Sequence, residues 1–74
     1  MVEKTIKERI EELRTLYDEV TTSDLQGICM AIALDINKEN AFEIEDLLLS
    51  FAYGDIDLDE LYKELRGLND NKDL

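Results

Sequence analysis

Apolar residues recur along most of this chain at intervals of three and four, the spacing that lines one face of an α-helix. Between residues 3 and 20, Ile6, Ile10, Leu13, Tyr17 and Val20 share such a face, with Leu16 beside them. The other faces are charged, and Lys4–Glu8 and Lys7–Glu11 stand at i, i+4, where opposite charges support a helix. Thr21-Thr22-Ser23-Asp24 then breaks the pattern with residues that suit a helix N-cap. A second helix is expected over about 23–36. Leu25, Ile28, Cys29, Ile32 and Ile36 form one face, while Met30 and Leu34 project from the opposite side. A helix apolar on both sides is either central to its fold or shared with another chain.

The polar segment Asn37–Asn40 reads as a connection, and a third helix is expected over 41–53. Its main stripe is Ile44, Leu47, Leu48 and Phe51. A second stripe, Phe42, Leu49 and Tyr53, lies at i, i+7 and i+11, with Glu45 and Asp46 between the two. Gly54 follows at a suitable C-cap. A fourth helix runs from about Asp57 to Gly67, burying Leu58, Leu61, Tyr62 and Leu65. Asp57 suits its N-cap, and Asp59 and Glu60 fall in the first turn, where the helix dipole favours negative charge. The pattern therefore predicts an all-α protein, a small bundle of three to four short helices. One domain is expected over residues 1–68, with a frayed polar tail at 69–74. No internal repeat or low-complexity tract interrupts it, and the heptads are too short for a long coiled coil.

Composition sharpens this picture. With 74 residues, no histidine, no proline and one cysteine, the chain can form no intrachain disulfide and lacks the usual zinc ligands. Self-association is then the remaining way to enlarge a small core. The second stripe, with Met30 and Leu34, offers a homodimer face; a four-helix fold that buries both sides of helices 2 and 3 accounts for it equally well. The N-terminus has no signal-peptide core, no apolar run has the length of a membrane span, and the lone cysteine fits a reducing cytoplasm.

Charge changes the picture most. The net charge is −11, from 19 acids and 8 bases. Residues 1–17 and residues 61–74 each balance to zero, whereas residues 18–60 hold twelve acids and one base, Lys38. Such acidity opposes direct contact with nucleic acid or with an anionic membrane surface. It can, however, imitate a nucleic acid. Carboxylates one helical turn apart lie about 6 Å from one another, and rows of them can enter a basic channel built for DNA. Two groups are candidate rows: Glu39, Glu43, Glu45 and Asp46, and Asp55, Asp57, Asp59 and Glu60. A solvated surface kept for solubility is the simpler explanation, but solubility alone does not require the charge to be segregated.

Catalysis, a cofactor and a metal are not expected. No histidine is present to act as a base, and Cys29 lies in an apolar stripe without an activating partner. Asp55-Ile56-Asp57-Leu58-Asp59 resembles the first half of an EF-hand loop, but Glu60 stands where the glycine belongs and Arg66 where the bidentate glutamate belongs. It reads instead as an acidic helix start. Asp46-Leu47-Leu48-Leu49-Ser50-Phe51 loosely resembles the short peptides that dock on bacterial sliding clamps, without their leading glutamine. Ser23-Asp24-Leu25 reverses the Asp-Ser-Leu order of acyl carrier proteins.

In length, acidity, absence of histidine and helical economy, the chain resembles the small host-takeover proteins of bacteriophages, which include DNA mimics. It is similar in size and charge to a sliding-clamp inhibitor of a staphylococcal phage. That resemblance is one of composition and transfers no residue. It implies a dimer seated in the positively charged DNA channel of a clamp, with a basic host protein as partner. A small helical adaptor that grips a partner helix through an apolar face is the alternative.

Overall fold

The computed structural model describes residues 5–68. Among these the chain is all-α, with five short helices: α1 (Ile6–Glu11), α2 (Leu13–Glu19), α3 (Thr22–Ile36), α4 (Ala41–Tyr53) and α5 (Leu58–Leu68). The tail expected at 69–74 lies outside the described residues.

The helix expected over 3–20 opens at Ile6 and is divided at Glu12. Its start is set by a capping box: Thr5 Oγ1 accepts from the Glu8 amide, and the Glu8 carboxylate accepts from the Thr5 amide, both at 3.1 Å. At Glu12 ψ is −14°, well short of the helical value near −42°. Backbone bonds nevertheless cross the junction, from Glu12 N to Glu8 O at 3.2 Å and from Leu16 N to Glu12 O at 2.9 Å. The division is a local tightening within one helical run, so apolar periodicity passes straight through it. Ile10 and Leu13 are fully buried on either side.

The remaining helices follow the expected boundaries closely, because their caps are explicit. The Thr21 hydroxyl accepts from the Asp24 amide at 3.2 Å and starts α3. The α4 helix stops at Gly54, whose φ of +87° only glycine adopts cheaply, and Asp55 N donates back to Ser50 O at 2.9 Å. Asp57 Oδ1 accepts from the Glu60 amide at 2.8 Å and starts α5.

The α4 helix is central, packing against α2, α3 and α5. Its neighbours bury Ala41, Ile44, Leu48, Phe51 and Ala52. These meet Ile10 and Leu13 from the N-terminal run, Leu25, Cys29, Ile32, Ala33 and Ile36 from α3, and Leu61 and Leu65 from α5. Leu58 and Tyr62, expected on the buried face of α5, are only partly covered. Losing a large side chain from such a core costs about 2–5 kcal/mol.

Polar side chains fix the order of packing. Asn37 and Asn40, in the α3–α4 connector, donate to the Leu68 carbonyl at 3.4 and 2.8 Å. The end of α5 is thereby pinned beside the start of α4, and the two helices run antiparallel. At the other end, Arg14 of α2 donates from Nε to Phe51 O at 3.1 Å and from Nη2 to Ile56 O at 2.8 Å. Its guanidinium carbon lies 4.3 Å from the Phe51 ring centroid. One arginine thus holds both sides of the α4–α5 turn.

Candidate acidic interface on α4 and α5

The α4–α5 hairpin, residues 41–68, carries eight acids and two bases. Part of this charge is placed by local helix physics. Glu43 lies in the first turn of α4, and Asp59 and Glu60 in the first turn of α5, where unpaired amides favour anions. The rest is arranged by the packing. Glu43, Asp46 and Ser50 stand three and four residues apart and share one face of α4. Glu60, Glu64 and Leu68 stand four apart and share one face of α5.

Where these faces meet, a shallow open groove of about 300 Å³ is lined by Glu43, Asp46, Leu47, Ser50, Glu64 and Leu68. Glu43, Asp46 and Glu64 are exposed. None of the three has an ion-pair partner among the described residues.

The basic residues of α1 and α2, Lys7, Arg9 and Arg14, are engaged elsewhere. Arg9 pairs with Asp35 at 2.6 Å. Lys7 Nζ lies 5.7 Å from the Tyr62 ring centroid, and Arg14 is committed to the turn after α4.

The first expected row is therefore split. Glu43 and Asp46 face the groove, and Glu39 is exposed in the connector before α4. Glu45 follows Glu43 by two residues, about 200° around the helix. It is half-buried, and its charge is felt at Cys29. Burial first, and Glu45 second, push the Cys29 thiol up to about 12. In the second row, Asp55, Asp57, Asp59 and Glu60 are all exposed, with Asp57 engaged as the N-cap. Burial, and then Glu11, raise the Tyr62 hydroxyl above its ordinary range.

Glu64 is the groove residue that the charge pattern missed. It lies in a segment whose charges cancel, so its membership shows only in the i, i+4, i+8 run Glu60–Glu64–Leu68.

The five apolar residues of the expected second face do not form one uniform stripe. Met30 and Leu49 are half-buried and pack against the core. Leu34 is 48% exposed and Phe42 78% exposed, near the end where α3 passes into α4. Tyr53 lies eleven residues beyond Phe42, about 16 Å along the helix. It meets Tyr17 edge-on, with ring centroids 5.3 Å apart. Within Asp46–Phe51, Leu48 and Phe51 are buried, so the folded chain does not present that segment as a linear docking peptide.

Among the described residues no group of acids and cysteine is placed to hold a metal ion, and no helix is long and apolar enough to cross a membrane. No protein-family model, curated protein or solved structure matches the chain.

Proposed function

We propose that this chain is a binding protein, not an enzyme, and that it blocks the basic DNA-binding surface of a host DNA-processing protein in the cytoplasm. The replication sliding clamp is one such target. The observation that carries the reading is the paired rows Glu43–Asp46 and Glu60–Glu64 on the α4–α5 hairpin, which are exposed and form no ion pair among the described residues. Carboxylates at this spacing, about 6 Å apart, lie within one Debye length, about 8 Å at physiological salt. Their fields therefore reinforce one another, attract a basic surface over a distance and repel DNA from it. Neither nucleic acid nor membrane is a direct partner, and no cofactor takes part.

The exposed Phe42, with Leu34 near the same end of the α3–α4 pair, favours a second reading. These side chains would hold a homodimer or grip an apolar partner surface, in which case the acidity serves solubility.

Salt and DNA separate the two. The immobilised protein is offered purified sliding clamp and, in parallel, bacterial lysate at low salt, then challenged with duplex DNA. Blocking of a DNA channel predicts release by DNA. It also predicts about a tenfold or greater loss of affinity when Glu43, Asp46, Glu60 and Glu64 are all changed to glutamine or asparagine. A partner that resists both DNA and salt, and is lost on Phe42→Ala, would establish the apolar adaptor instead.

A further inference from the structure

The α4–α5 groove has a composition that suits one kind of guest. Its floor is apolar, from Leu47 and Leu68, and its rim carries the carboxylates of Glu43, Asp46 and Glu64, with Ser50 beside them. At about 300 Å³ it is at the lower limit of small-molecule pockets. It is also open along one side, which suits a single extended side chain entering from a partner.

We propose that the groove seats one arginine side chain from the basic partner. This inference rests on the reading of the acidic face as a partner-binding surface. Arginine combines an apolar stem with a planar cationic head that can pair bidentately with carboxylates. Its stem would lie along Leu47 and Leu68, and its head would meet the rim. A purely apolar side chain would cover the rim carboxylates without replacing their water. An anionic guest would be repelled by all three.

The walls are tied to one another before any guest arrives. Asn40 ties Leu68 to the start of α4. Arg14 holds the Phe51 and Ile56 carbonyls at the opposite end. A groove of preset width costs less ordering on binding than a pair of loose helices. The consequence is a contact that diffuse charge alone does not supply: a local anchor for an arginine side chain.

The test titrates Nα-acetylarginine methylamide into the intact chain at low salt and follows methyl and amide resonances. The neutral citrulline analogue and guanidinium chloride, which lacks the stem, are titrated in parallel. Saturable shifts should centre on the Leu47 and Leu68 methyls and the Ser50 amide. The citrulline analogue and guanidinium should each bind about tenfold more weakly or less. Glu64→Gln should weaken the arginine probe by about threefold or more, with Asp24→Asn, on α3, leaving it unchanged. Linear shifts spread over the acids of every helix would overturn the proposal, as would equal binding of the citrulline analogue. The outcome is separate from the DNA challenge, since a chain can bind the probe in its groove and still fail to be displaced from a partner by DNA.

Discussion

Replacing Arg14 with alanine tests the geometry that shapes the acidic hairpin. The side chain makes two hydrogen bonds, at 3.1 Å to Phe51 O and 2.8 Å to Ile56 O, and stacks 4.3 Å from the Phe51 ring centroid. Hydrogen bonds from a charged donor are worth about 1.5–3 kcal/mol when dry, and nearer 1 kcal/mol where water can replace the donor, as on this exposed side chain. The stacking adds about 0.5–1 kcal/mol. Together these place the loss at about 2–3 kcal/mol, a large share of the stability of so small a domain. Thermal and urea unfolding followed by circular dichroism would read it as a drop of about 10–20 °C in Tm. Arg14→Lys keeps the charge but lacks the planar fork, so it should recover less than half of the loss. A loss below about 0.5 kcal/mol for Arg14→Ala, the range of ordinary surface substitutions, would refute the claim that this arginine fastens the α4–α5 turn.

Two further predictions concern backbone and titration. Gly27 lies inside α3 with nothing within 4 Å of an added Cβ, so Gly27→Ala should stabilise by about 0.5–1 kcal/mol. Gly54→Ala, at φ +87°, should destabilise by about 1 kcal/mol, and opposite shifts in urea midpoint would check the pair. Cys29 stays protonated in the folded chain up to about 12, above its ordinary value of 9.0. The unfolded state therefore loses this proton first, and its contribution to stability falls as pH rises from about 9 towards 12, by up to about 1.4 kcal/mol per unit. Urea unfolding at pH 8 and pH 10.5 should show that loss, reduced in Cys29→Ala; stability rising with pH in the native chain and falling in the variant would contradict the assignment.

The helices were legible in the sequence because each announces itself locally. Apolar spacing in α3, α4 and α5 matches the faces that are buried, and Thr21, Gly54 and Asp57 mark boundaries through bonds to their own neighbours. The division at Glu12 was not legible, since it changes one ψ angle without moving Ile10 or Leu13 off the core. The balance of charge was also a property of the chain alone, and its acidic excess falls in residues 18–60, which include α4 and the start of α5.

What only the tertiary structure decided is which charges stand together and which are engaged. Glu45 belongs with Glu43 and Asp46 in sequence, yet helix rotation carries it to a half-buried position from which its charge helps raise the Cys29 thiol. Glu64 sits in an electrically balanced segment, yet the antiparallel return of α5 brings it across the groove from Glu43 and Asp46. Arg14 reads as one of several exposed helix charges, but its partners lie 37 and 42 residues away. Leu34 and Met30 share a helical face, and only packing leaves the first exposed while half-burying the second. Periodicity and caps act over one or two turns, so a single sequence carries them. Groove walls, long-range hydrogen bonds and residual exposure depend on how separate helices meet, and that is settled only when α4 is enclosed by its neighbours.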